Sequence, residues 1–148
     1  MNCKEIKDYL RNMAKMTEKS QMAGFYEWLL KNGECFETQN KQLSKSYFDD
    51  GRHKVKQCFY NSAINLLSDD KLKYYEGYYL PGLPIALKHA WNVKKGEVID
   101  TTSIAGNFEV DAYFGVEIPK NIRLIEYEQA DTFLDALEWY WLNYIKKK

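Results

Sequence analysis

The chain reads as an α+β domain built on an antiparallel sheet, and three observations predict it. Apolar residues recur at helical spacing before Ser68. A tyrosine-rich run and an alternating run follow, joined and closed by glycine and proline turns. Helical spacing then returns at the C-terminal end. Helices, then strands, then a helix argue against alternating βαβ units.

Each element has its own reason. Ile6, Tyr9, Leu10, Met13 and Met16 lie on one helical stripe. Ser20 is the expected cap of a second helix that contains Ala23, Phe25, Tyr26, Leu29 and Leu30, with Lys31 in its last turn and Gly33 just past its end. Residues 36–47 are polar and read as helix or loop, and Asp49 to Gly51 is a turn signal. Cys58 to Leu67 reads as a buried helix because Phe59, Ala63, Ile64 and Leu67 recur at its period. The run "KYYEGYYL" favours a strand, and Pro81 to Pro84 is a loop. Leu87 to Val93 alternates, and Glu97 to Thr101 is its expected partner across "KKG". Ile104 to Asn107 reads as loop, and Phe108 to Ile118 as one or two strands stopped by Pro119. Arg123 to Glu126 is a short strand candidate. Asp131 to Lys147 is the expected closing helix, with Phe133, Leu134, Leu137, Trp141, Tyr144 and Ile145 as its stripe.

At 148 residues the expectation is one domain: a helical lead over 1–50, a helix and sheet over 51–127, and a closing helix over 128–148. Hydrophobic residues are 45% and charged residues 28%, a globular balance. The 16% aromatic content suggests a thick core or an aromatic cleft. Lys+Arg and Asp+Glu are both 21, so no net field draws the chain to nucleic acid or to an anionic membrane. The basic clusters at 52–56 and 146–148 read as solvated ends and loops. Neither a leader core nor a membrane-length apolar run is visible, so a cytoplasmic location is expected. Cys3, Cys35 and Cys58 are widely spaced, with no C-x-x-C pair and two histidines. Neither a disulfide framework nor a metal site is expected, and no cofactor. Cys3 and Cys35 are expected to have no role.

The chemistry concentrates on three residues. Cys58 opens its helix, where partial positive charge and open N–H groups favour a thiolate and a developing oxyanion. His53, Lys54 and Lys56 upstream would add positive potential. A thiol needs an imidazole base, and His89 is the better candidate because it interrupts an apolar strand face of Leu87, Trp91 and Val93. A core histidine bonded to a carbonyl is the plain alternative. An orienting acid completes such a set. A two- or four-residue hairpin loop opposes Val93 to Val98 and Trp91 to Asp100, which puts Asp100 on the face of His89. A three-residue loop at Lys94-Lys95-Gly96 puts it on the other face.

"YYEGYYL", a loop, "HAWNV", a glycine and "VIDTT" together resemble the core of transglutaminase-like cysteine enzymes, which have a papain-like fold. The resemblance runs over about residues 57–102, a third of the chain. It implies Cys58 as nucleophile, His89 as base and Asp100 as orienting acid, with Gly77-Tyr78 and Ala90-Trp91 matching the flanking pairs. Thr101 stands where proline is usual, and Lys56-Gln57 replaces a lead containing glycine. The implied activity is a cysteine hydrolase or acyltransferase acting on a protein, peptide or small amide through a thioester. A degenerate binding or regulatory module on the same fold is the alternative.

Other residues carry two readings each. Gln57 is an oxyanion donor or an exposed helix start. Glu76 contacts substrate or is a surface carboxylate. Trp91 walls a cleft or fills the core. Tyr113, in "YFGVEIP", belongs to a substrate-side loop or to a strand. His53 is expected to face solvent.

Overall fold

A computed structural model describes residues 3–122 and 136–146. Helices α1 (Lys4–Met16) and α2 (Phe25–Asn32) lead into the short strand β1 (Glu34–Phe36) and helix α3 (Lys41–Tyr47). Helix α4 (Cys58–Ser68) precedes strands β2 (Lys73–Leu80), β3 (Leu87–Lys94) and β4 (Glu97–Ile99). Helix α5 (Thr101–Gly106) and strand β5 (Ala112–Ile118) follow. A single helical turn, α6 (Leu137–Tyr140), runs into a π-helical turn at Trp141–Ile145. The five strands form one antiparallel sheet in the order β1-β5-β2-β3-β4. The α+β class and the antiparallel sheet are therefore as expected.

β2 is central, with β5 on one side and β3 on the other. Its tyrosines serve both faces, because side chains alternate along a strand. Tyr74 and Tyr78 join the larger core, which packs under Ile6, Leu10, Phe25, Leu29, Ala63, Ile64 and Trp141. Tyr75 joins a smaller core on the opposite face, with Trp91, Val93, Val98, Val110 and Tyr113. Gly77 and Gly115 are direct cross-strand partners. A Cβ on Gly77 would stand 2.2 Å from Phe114 O, and one on Gly115 would stand 2.3 Å from Glu76 O. Only glycine lets these two strands cross so closely.

Several elements differ from expectation. Ser20 does not cap α2. It closes a turn, accepting from Met22 N and donating to Thr17 O, and the helix begins after Gly24, whose φ of 93° needs glycine. β4 stops at Ile99, and residues 101–106 are helix where strand end and loop were expected. The cause is Asp100: its Oδ1 accepts from Ser103 N at 3.2 Å and caps α5. Residues 108–118 hold the single strand β5. The strand candidate at 123–126 and the first half of the closing helix lie outside the described residues.

Two side-chain expectations are overturned. Cys3 and Cys35 form a disulfide, tying the start of α1 to the edge strand β1. Their 32-residue separation hides a pair that the fold brings together. His53 is buried, not solvent-facing. Its Nδ1 accepts from Asp49 N at 2.8 Å, its Nε2 lies 2.7 Å from Asn65 Oδ1, and its ring stacks on Phe48. Asn65 Nδ2 already donates to Asn92 and Thr101, so its oxygen is the acceptor and Nε2 of His53 carries the proton.

Candidate active site

The hairpin decides the register. Lys94 pairs with Glu97 and Val93 with Val98, so the loop is the two residues Lys95-Gly96. Both have positive φ, 52° and 79°, the geometry of a tight hairpin turn matched to sheet twist. Asp100 then leaves β4 on the face of His89. His89 Nε2 lies 2.9 Å from Asp100 Oδ2, with both side chains buried.

Asp100 is held on every side. Its Oδ2 also accepts from the Tyr113 hydroxyl at 2.8 Å. Its backbone N donates to Ser44 Oγ at 3.0 Å, and its carbonyl accepts from Ser103 Oγ at 2.8 Å. Burial and the Asp100 charge push the Tyr113 phenol well above its ordinary pKa, so it remains an O–H donor. The carboxylate is thereby fixed in place.

Nε2 of His89 is committed to Asp100, which leaves Nδ1 as the ring nitrogen available to a thiol. Cys58 lies near enough to act on the charge of the His89 ring. Burial is the largest influence and disfavours the charged ring. The Asp100 charge and hydrogen bond, with the influence of nearby Cys58, outweigh it and raise His89 to about 10. These influences favour the protonated ring, which is bonded to a carboxylate and lies near a sulfur. Tyr79 lies flat against it, with centroids 3.8 Å apart and planes 7° apart. Burial, and then Cys58 and Asp100, raise the Tyr79 pKa, which keeps this cover neutral.

Cys58 is half-buried, carries a free thiol and is the first residue of α4. The first N–H groups of a helix have no partner within it, so the start of α4 offers donors close to Cys58. Two residues earlier Lys56 has a φ of 62°, the left-handed conformation that glycine adopts most readily. A lysine thus makes the sharp entry for which a glycine would be the usual choice.

Buried asparagines join the elements that carry Cys58, His89 and Asp100. Asn61 Nδ2 donates to Lys54 O and to Thr102 Oγ1, and its Oδ1 accepts from Lys54 N. Asn65 Nδ2 donates to Asn92 Oδ1 on β3 and to Thr101 Oγ1 on α5. The lead to Cys58, the strand of His89 and the helix capped by Asp100 are cross-linked by two side chains of α4.

The remaining candidates separate. Trp91 is fully buried on the face of His89, with ring centroids 6.3 Å apart, and backs the site without lining an opening. Its Nε1 has no hydrogen-bond partner among the described residues. Tyr113 serves the acid and not an exposed loop. Gln57 is exposed and its side chain makes no cap bond, while its carbonyl accepts from Asn61 N. Glu76 is neither a surface group nor on the sheet face of His89. It is buried on the opposite sheet face, where it accepts from Ala136 N, Leu137 N and the Tyr74 hydroxyl. It anchors the start of α6 to the sheet. Tyr79, Ser44, Asn61 and Asn65 were not singled out from sequence. Only Tyr79 carried a signal, since it shares strand parity with Tyr75.

No cluster of histidine, cysteine and carboxylates able to hold a metal occurs among the described residues. No described helix is long and apolar enough to cross a membrane. Comparison with known protein families, curated proteins and solved structures finds no match to this chain.

Proposed function

We propose that the chain is a transglutaminase-like cysteine hydrolase or acyltransferase that acts on a peptide or carboxamide bond. The observation that carries this reading is His89 bonded to buried Asp100 and lying near the thiol at the head of α4. The sulfur of Cys58, as the thiolate whose proton His89 holds, attacks the carbonyl carbon, and negative charge moves to the oxygen before the open N–H groups of the helix start. The tetrahedral intermediate collapses as the C–N bond breaks. The leaving amine takes the proton that His89 already holds, and a thioester remains. Water or a second amine then adds to the thioester, gives its proton to His89 and expels the sulfur. The acyl group leaves as an acid or a new amide, and the starting charges are restored.

No cofactor is needed for these steps, and no nucleic acid or membrane partner enters them. A cytoplasmic setting suits the free thiol. The Cys3–Cys35 disulfide weighs the other way, since such bonds persist in oxidising compartments. The test is mass spectrometry after reaction with an activated amide or ester probe. An acyl adduct on Cys58 that Cys58→Ala and His89→Gln lose supports the reading, and no adduct on the wild type refutes it.

The burial of His89 favours a second reading. With 1% of its surface exposed and Tyr79 across its face, the ring suits a packed, inactive triad in a binding module. Substitution of Tyr79 by alanine separates the two. Adduct formation that rises or holds fits an enzyme with a covered base, whereas no adduct in either protein fits the binding module.

A further inference from the structure

His53 is buried, yet the proposed reaction does not use it. Both of its ring nitrogens are engaged. Nδ1 accepts from Asp49 N at 2.8 Å, and Nε2 donates to Asn65 Oδ1 at 2.7 Å. That donation fixes which way the Asn65 amide points. Its Nδ2 then serves Asn92 Oδ1 on β3 and Thr101 Oγ1 on α5, at 3.0 and 3.2 Å. Asn92 in turn donates to the carbonyls of Ser62 on α4 and Lys73 on β2, at 3.0 and 3.2 Å. The donors run one way, from the loop before Cys58 into the sheet.

The relay joins the three elements that carry the reactive residues. Asn61 and Asn65 stand three and seven residues after Cys58, so all three share one face of α4. Asn92 lies three residues beyond His89 on β3, and Thr101 directly follows Asp100. At 1.5 Å per residue, Asn65 is about 10 Å along the helix from Cys58, too far to touch the sulfur. Apolar side chains would fill this buried seam without needing partners. Hydrogen-bonded amides instead fix distance and direction, and a satisfied buried network rigidifies what it joins. We infer that His53 and Asn65 are positioning residues, which hold the helix of Cys58 in register with the strand of His89 and the cap of Asp100. This inference rests on the reading of those three residues as a working triad.

Alkylation of Cys58 by iodoacetamide at pH 6 and pH 9 tests it, followed by mass spectrometry, with folding checked by near-UV circular dichroism. An ordinary thiol is half ionised near about pH 8.5, so its rate rises on the order of 200-fold over that range. A thiol paired with an imidazolium is already ionised at pH 6, and the wild type is expected to rise less than tenfold. Asn65→Leu, and His53→Phe, which keeps the stack on Phe48, are expected to react at least fivefold slower than the wild type at pH 6 and within twofold of it at pH 9. His53→Gln, which retains an N–H for Asn65, is expected to recover at least half of the wild-type rate at pH 6. A merely structural role would lower the unfolding midpoint and leave both rates of the folded variants at wild-type values, which would overturn the proposal. So would a His53→Gln no faster than His53→Phe at pH 6. If Asn65→Leu does not fold, the two His53 variants decide. A wild type that itself rises on the order of 200-fold would instead remove the underlying reading of the triad, and the positioning roles with it.

Discussion

His89 and Asp100 stand eleven residues apart in the chain and 2.9 Å apart in space, and the two-residue turn at Lys95-Gly96 brings them together. Their relationship therefore depends on residues that touch neither of them. Gly96 has a φ of 79°, which a side chain resists. Gly96→Val is expected to cost about 1–2 kcal/mol in chemical denaturation. Lys95→Asn, which suits a left-handed position, is expected to be neutral or slightly stabilising. Inserting one glycine into the turn shifts the register and is expected to abolish Cys58 acylation while the chain still folds.

The charge on His89 sets a pH dependence. Its pKa is about 10 in the folded chain against an ordinary 6.5. A raised pKa contributes stability that is complete below the unfolded value and is lost as pH rises through the folded one. The unfolding free energy of wild type minus that of His89→Gln should therefore be largest near pH 6. It should fall toward pH 10 by on the order of a few kcal/mol. Urea unfolding of both proteins across that range checks it, and a flat difference contradicts it.

Tyr113 donates to the same carboxylate oxygen that His89 contacts. Tyr113→Phe leaves a buried charge one donor short, which costs about 1.5–3 kcal/mol. Acylation of Cys58 should slow in this variant, but by less than in Asp100→Asn, because Asp100 still orients the ring. Equal loss in the two variants would mean that the tyrosine and the acid act as one unit.

The Cys3–Cys35 bond closes a long loop at the sheet edge. Chain entropy assigns such a loop about 3–4 kcal/mol. The Cys3→Ala, Cys35→Ala double variant should unfold at correspondingly lower urea while Cys58 still reacts. Thiol titration of the denatured, unreduced protein should find the single free thiol of Cys58. Three titratable thiols would contradict the pairing.

Legibility in the sequence followed how local the cause was. The helix at Cys58, the strands over "KYYEGYYL" and "LKHAWNVK" and the turn at Gly96 each announce themselves within a few residues. The register of the hairpin stayed open because glycine fits both loop lengths, and positive φ at Lys95 is not written in a lysine. The second role of Asp100 was hidden, because a strand residue at that position conceals the cap that ends β4. The long-range partners were illegible. His53 looked solvent-facing among lysines because its buried acceptor, Asn65, lies on another element. Glu76 looked like a site residue because the backbone N–H groups of Ala136 and Leu137, which it binds, are 60 and 61 residues away. Cys3 and Cys35 looked unrelated for the same reason.

The central claim is that Asp100 and His89 act on the sulfur of Cys58, and its reactivity measures this most directly. The rate of Cys58 carboxamidomethylation by iodoacetamide near pH 6, followed by mass spectrometry, should be at least tenfold higher in the wild type than in His89→Gln. Asp100→Asn should fall between them. Equal rates in all three proteins would contradict the account, leaving the hairpin as structure alone.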